Sequence, residues 1–241
     1  MRVAPLTDDH TFLFADLAGF TALTEAHGDE HAADLAESFA ECVRGLLAKA
    51  SADEVKTIGD AIMIRADEAR TAVPLAIKIV EEVQRRGDFP GVRVGMHTGP
   101  AVEREGDWFG ATVNIAARVA GAAGGGEVLL TRTTRERAGA PAGVEFERHG
   151  ETRLRNVSEP VVLYGAIRQG SKRGKLSIDP VCRMVVADGH GAGRLRFRDA
   201  EYVFCSLECA HAFAADPERY RGTDQSAVAR PDPTHRRSTP L

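Results

Sequence analysis

Two carboxylates early in the chain stand where they could share divalent cations. Asp16 closes the apolar run TFLFAD (11–16), and Asp60 ends the turn Ile58-Gly59-Asp60 within DEVKTIGDAIMI (53–64). Carboxylate oxygens suit hard ions such as Mg or Mn, which lower phosphate charge and activate a weak hydroxyl nucleophile. A second group lies in GDWFGATVNIAARV (106–119), where Asn114 and Arg118 are four residues apart and share a helical face. A fixed cation beside a polar side chain suits charge that builds on phosphoryl oxygens in a transition state. Lys56 and Asp107 add a cationic donor and an anionic acceptor. That order is complementary to adenine, which accepts at N1 and donates at N6, and clashes with guanine, which does the reverse. Leu17, Ala18, Gly19 and Phe20 follow Asp16 and open a helix, whose first backbone N–H groups can hold phosphate oxygens.

The elements that position these residues follow from periodicity. Thr11 to Asp16 reads as a buried strand, Gly19 to His27 as a short helix, and Asp29 to Ala50 as a longer helix with Leu35, Phe39, Val43 and Leu46 on one stripe. A hairpin over 54–57 and 61–65 projects Asp60 from its tip. Asp67 is placed to cap a helix running to about Arg86, in which Pro74 costs one hydrogen bond. Val92 to Thr98 reads as a strand, 109–122 as the helix carrying Asn114 and Arg118, and strands near 127–131, 144–149 and 160–167 follow. The order is α+β. The glycine run GAAGGGE (121–127) follows a helix whose C-terminal end repels phosphate, so it reads as a loop. His97 reads as a structurally satisfied strand residue and Cys42 as core.

Composition frames these motifs. At 241 residues, with 43% hydrophobic and 27% charged side chains, the chain has room for one full globular domain and a small one. A net charge of −4 gives no reason to expect nucleic acid binding. No apolar run approaches the ~20 residues of a membrane span, and the expected location is cytoplasmic. Residues 1–169 hold 19 Lys and Arg against 26 Asp and Glu, and residues 170–241 hold 12 against 9, so two units of opposite charge are joined. The basic GSKRGKL (170–176) reads as a linker, and the Pro-, Ser- and Arg-rich stretch 223–241 as a disordered tail.

Taken singly, an Asp ending a strand is a turn former and a Lys on a hairpin a solvated face. Their conjunction within FADLAGFT, VKTIGDAIM, VRVGMHTG, DWFG, VNIAAR and LRNVSEPVVLY is another matter. Over residues 8–168 the sequence resembles the catalytic domain of class III nucleotidyl cyclases, most closely the soluble bacterial adenylyl cyclases. The resemblance implies a ferredoxin-like α+β core and conversion of ATP to 3',5'-cyclic AMP and pyrophosphate. It assigns Asp16 and Asp60 to two Mg or Mn ions, Lys56 and Asp107 to the purine, and Asn114 and Arg118 to the transition state. Arg155 falls where members often carry a basic residue near the terminal phosphates. The family pairs head to tail with sites shared between subunits, so a homodimer is implied. Ala61 replaces a common glycine, and the stretch between Thr98 and Asp107 is short.

Residues 177–222 carry SIDPVCRMVV and YVFCSLECAHAFAADPERY, with Cys182, Cys205 and Cys209 in C-x22-C-x3-C spacing. Clustered cysteines in a reducing compartment favour a metal over disulfides, and Cys205 and Cys209 lie one helical turn apart. DPVC, YVFCS and DPERY resemble the YHS domain and the related TRASH modules, with Arg183 replacing a usual glycine. Three thiolates suit Zn or Cu(I), with His211 or solvent as a fourth ligand; the competing reading is a small structural domain with partly buried thiols. For the whole chain, two further readings compete with an adenylyl cyclase bearing a metal-binding modulator. One is a catalytically silent nucleotide-binding or dimerisation module attached to a heavy-metal-binding domain. The other is a diguanylate cyclase, whose GGDEF-type turn is absent. The cyclase reading is preferred.

Overall fold

Apolar side chains alternating along a strand need cover on both faces of the sheet, and β1 (Asp9–Leu17) shows where that cover comes from. Leu13, Ala15 and Leu17 enter the core under two helices, while Phe12 and Phe14 enter a separate core on the opposite face. The same period puts Asp16 on the Phe12 and Phe14 side. In this computed structural model the described residues are 9–87, 89–171, 177–187 and 190–220.

After β1 come α1 (Phe20–His27), α2 (Asp29–Leu47), β2 (Ala52–Ile58), β3 (Ala61–Ala66), α3 (Ala69–Arg86) and β4 (Val92–Pro100). A hairpin of β5 (Val102–Arg104) and β6 (Asp107–Phe109) leads into α4 (Ala111–Ala122), β7 (Val128–Thr131), α5 (Arg132–Ala138), β8 (Val144–Thr152) and β9 (Val161–Arg168). The main sheet runs β2-β3-β1-β4-β7-β9-β8. Its first four strands, mutually antiparallel, give the ferredoxin-like order with α2 and α3 on one face. Among the described strands only β4 and β7 pair in parallel, as the crossover through α4 requires. Phe12, Leu13, Phe39, Ile62, Met63, Ile64 and Met96 are fully buried, each contributing roughly 1.5–3 kcal/mol of apolar burial.

Helix α4 lies directly on β4. A Cβ at Gly95 would sit 1.8 Å from Ala120 N and 2.3 Å from its Cα, so only glycine lets the helix approach. The loop after α4 packs as closely, with Gly125 against Gly91 and the Gly126 amide donating to Val92 O at 2.7 Å.

Several expectations shift. Helix α2 stops at Leu47 rather than Ala50, and α4 begins at Ala111 because 107–109 is strand. The β5–β6 hairpin turns at Glu105 and Gly106, both with positive φ (53° and 80°), the left-handed pair that a two-residue loop needs. Asp67 does not cap α3; Arg65 Nη1 donates to its Oδ1 at 2.6 Å, and Glu68 stands at the cap position without a side-chain bond. Pro74 lies inside α3 without ending it, and Gly87 closes it in the left-handed conformation (φ 82°). Helix α5, which periodicity missed, is capped by Thr131, whose hydroxyl accepts from the Thr134 amide.

The second unit comprises β10 (Ser177–Ile178), β11 (Val185–Val186), β12 (Gly193–Phe197), β13 (Ala200–Phe204), α6 (Leu207–Ala215) and α7 (Pro217–Tyr220). Its Val181, Cys182, Tyr202, Phe204 and Phe213 share one apolar core with Leu23 of α1 and Ala32 of α2. The two units are therefore packed together. Most of the expected linker (172–176) and the expected tail (223–241) lie outside the described residues. Among those described, no helix is long and apolar enough to cross a membrane.

Candidate active site and an adjoining cysteine cluster

Asp16 sits at the end of β1 opposite Ala61 of β3 and Arg93 of β4. Arg93 Nε donates to Asp16 Oδ2 at 2.6 Å. Asp60, in the β2–β3 turn, comes up against Asp16, and its carboxyl is pushed up to about 7 by burial and then by the Asp16 charge. Two half-buried carboxylates held this close repel each other, and a hard divalent cation with oxygen ligands relieves that repulsion. The donor set fits Mg or Mn.

Lys56 and Asp107, separated by 51 residues, meet directly, with Nζ donating to Asp107 Oδ2 at 2.5 Å. A bulge between Glu54 and Lys56 shifts the β2 register, the kind of irregularity that re-aims a side chain. Asp107 Oδ1 also accepts the Trp108 amide at 2.8 Å. Lys56 first, and that amide second, hold the Asp107 carboxyl below the usual carboxylate range. Lys56 Nζ also stands 5.8 Å over the Phe109 ring. Arg104, Glu105, Asp107 and Phe109 line an open depression here. The β5–β6 hairpin is thus the device that brings Asp107 to Lys56, from a stretch that the sequence marks only as short.

Asn114 and Arg118 share the exposed face of α4, whose other face carries buried Val113, Ala116 and Ala120. Among the described residues neither side chain hydrogen-bonds within its own chain. Arg155 is exposed in the β8–β9 connection, and buried Leu154 packs that connection against Val119 of α4 and Ala123 just after it. Of the loop Leu17 to Phe20, the Ala18 amide is already spent on Gly91 O at 2.8 Å. Gly19 takes φ 88° at the start of α1, leaving the first amides of that helix for a ligand. His97 bonds Thr131 Oγ1 at 2.8 Å, and burial pushes its imidazole down to about 4, so it is a neutral structural group. Cys42 is buried between α2 and its neighbours, as expected.

Cys182, Cys205 and Cys209 converge, with Sγ–Sγ separations of 3.3 Å for Cys182–Cys205 and 3.8 Å for Cys205–Cys209. All are free thiols. Asp179 organises them: its Oδ1 accepts the Val181 amide at 2.8 Å and its Oδ2 the Cys205 amide at 2.8 Å. Ser206 caps α6 by accepting the Cys209 amide at 3.1 Å. The bonds from Cys182 and then Cys205 lower the pKa of the Cys209 thiol and favour its thiolate form. Arg183 sits at φ 68°, which explains the glycine usual at that place in the resembling domains. The fourth member of the cluster is His27, at the end of α1 in the first unit. His211 is exposed on α6 and lies outside it. His27 is 178 residues from Cys205, and no spacing rule could have picked it out.

The sequence profile described as "Adenylate and Guanylate cyclase catalytic domain" matches residues 3–165, and that of the "YHS domain" matches 177–224. The "pH-sensitive adenylate cyclase MT1302" of Mycobacterium tuberculosis is 40% identical over 168 residues, covering 67% of this chain and 42% of that protein. An "Adenylate cyclase" of Streptomyces griseus is 38% identical over 157 residues, covering 62% of this chain and 37% of that protein. The chain thus spans less than half the length of these relatives. Among solved structures, an adenylate cyclase from Trypanosoma brucei in its monomeric state superposes with a TM-score of 0.59 at 27% identity, over 70% of this chain and 92% of that one. The adenylyl cyclase CyaB from P. aeruginosa shares the fold, with a TM-score of 0.58 at 23% identity over 68% of this chain and 95% of that one.

Proposed function

The chain belongs to the adenylate and guanylate cyclase catalytic-domain family, and from that premise we propose that it is an adenylate cyclase, forming 3',5'-cyclic AMP and pyrophosphate from ATP. The observation that carries the choice of base is the Lys56–Asp107 pair, a donor and an acceptor 2.5 Å apart. When adenine enters, the two side chains exchange each other for the base, with Lys56 donating to N1 and Asp107 accepting from N6. Asp16 and Asp60 would hold two Mg or Mn ions, which when bound neutralise the triphosphate and lower the pKa of the ribose 3'-hydroxyl. The 3'-oxygen forms its bond to the α-phosphorus as the bond to the β-phosphate bridging oxygen breaks and pyrophosphate leaves. Arg118 would stabilise charge on the phosphoryl oxygens, Asn114 would hold the ribose region in line, and Arg155 with the free amides at the start of α1 would hold the phosphates.

The working unit in this reading is a homodimer. Asn114 and Arg118 project outward from α4, and the Lys56–Asp107 pair is flanked by exposed Ile58 (51%), Val102 (47%) and Phe109 (51%). Apolar surface of this kind beside a half-built pocket suits a partner subunit. A two-fold axis would then bring the carboxylates of one copy to the Lys56, Asp107, Asn114 and Arg118 of the other.

The deciding experiment incubates the purified protein with ATP or GTP and Mg or Mn and identifies the product. Cyclic AMP and pyrophosphate from ATP, with little product from GTP, is the expected result. ATP bound without pyrophosphate release would instead make this a silent nucleotide-binding module.

A further inference from the structure

We propose that His27 and the thiolates of Cys182, Cys205 and Cys209 form one tetrahedral Zn(II) site whose ligands come from both units, so that the ion clamps the C-terminal unit onto α1. In a tetrahedral site with Zn–S of about 2.3 Å and Zn–N of about 2.0 Å, two sulfurs stand about 3.8 Å apart and a sulfur and a nitrogen about 3.5 Å. The chain already holds four of the six edges within about 0.5 Å of these lengths. The Cys182–Cys205 and Cys205–Cys209 Sγ–Sγ separations are 3.3 and 3.8 Å, and His27 Nε2 lies 3.9 Å from Cys205 Sγ and 3.7 Å from Cys209 Sγ. All four ligand atoms fall within 4.8 Å of one another.

Each ligand is positioned by something other than the ion. Asp179 ties the Cys182 and Cys205 backbones together, and the Ser206 cap fixes Cys209. Gly28, with φ 86°, ends α1 by donating its amide to Thr24 O at 2.8 Å, which sets His27 in the last turn. The shared core of Leu23 and Ala32 with Val181, Phe204 and Phe213 presses α1 against the cysteines. Three thiolates and one imidazole make a closed structural set, with no position left for a substrate.

The clamp reaches the other end of α1 as well. The side chain of Arg183, next to ligand Cys182, lies against Gly19, where a Cβ would meet Arg183 Cγ at 2.4 Å. The Val185 amide donates to Phe89 O at 3.1 Å, and Pro90 bridges to Met184. The C-terminal unit therefore meets α1 at its N-cap, Gly19, and at its last residue, His27, and α1 opens directly after the Asp16 loop. The site itself stands whether or not the first unit turns over ATP.

The test uses the full chain, purified under reducing conditions and loaded with Zn(II), or with Co(II) for spectroscopy. About one ion per chain is expected, with thiolate charge-transfer bands and intense tetrahedral visible bands for Co(II). His27→Gln should lower Zn(II) affinity by on the order of 100-fold, since losing a direct ligand costs at least what losing a supporting one does. It should also shift and weaken the Co(II) visible bands. His31→Gln is the control, because exposed His31 has its ring 5.4 Å from that of His27 yet is no member of the cluster. Stripping the ion should speed hydrogen exchange across residues 20–27 and 181–186 together. The proposal is overturned if His27→Gln matches the unaltered chain in affinity and spectrum, if His31→Gln is equally damaging, or if chains with intact thiols take up no metal.

Discussion

At the scale of single residues, Asp60 carries a conflict between fold and function. Its folded carboxyl titrates near 7, above its unfolded value of 3.8, because of burial and the neighbouring Asp16. The sign follows directly: the metal-free fold is most stable below the unfolded value and loses that stability as pH rises through about 7. Asp60→Asn should therefore raise the melting temperature of chelator-treated protein at pH 8, by roughly 2–4 °C for each ~1 kcal/mol recovered, and have little effect at pH 4. The same variant should lose turnover by on the order of 10³-fold. An unchanged or lower melting temperature at pH 8 would mean that the two carboxylates are not in conflict. The Lys56–Asp107 pair makes a separate claim, about the base. Lys56→Glu combined with Asp107→Cys should cut kcat/KM for ATP at least roughly tenfold and raise the GTP to ATP ratio. A double variant that keeps the original preference would show that these residues do not read the purine.

At the scale of elements, the close approach of α4 to the sheet fixes where Asn114 and Arg118 project. Gly95→Ala would drive a Cβ into Ala120 backbone atoms at 1.8 and 2.3 Å. The expected cost is about 3 kcal/mol and a melting temperature lower by roughly 6–12 °C. Gly121→Ala, on the exposed side of the same helix with nothing within 4 Å, should be neutral or stabilising. Equal melting of the two variants would remove the argument for this contact. Much of this scaffold was legible: Thr11 to Asp16 and Val92 to Thr98 read as the strands β1 and β4, the apolar stripe gave α2, and the turn trio placed Asp60. Strand ends and turns are local, so residues attached to them were legible too. What escaped were features set by chain meeting chain. The β5–β6 hairpin has three-residue strands, too short for a period, and β5 is exposed throughout. Helix α5 is seven residues long, too short for periodicity. His27 is a half-buried residue at a helix end, and its only claim to attention is the company the other unit brings to it.

At the scale of the whole molecule, the proposed metal carboxylates stand at the end of β1 and in the β2–β3 turn, the proposed base-reading pair on β2 and β6, and the proposed transition-state residues on α4, while the C-terminal unit packs against α1. The homodimer proposal requires that no single copy complete a site, and this can be tested without a structure of the dimer. Asp60→Ala and Arg118→Ala homodimers should each be inactive. A mixed dimer places both defects in one site and leaves the other site with neither, so co-expression of the two variants should restore activity. With random pairing about half the dimers are mixed and each has one intact site of two, giving recovery of about a quarter of the unaltered activity by two-fold symmetry. Co-expression, with differently tagged copies captured in sequence, ensures that heterodimers are present when the assay is read. Demonstrated heterodimers with no recovered activity would mean that Asp60 and Arg118 serve the same site from the same chain. The outward projection of Asn114 and Arg118 would then need another explanation.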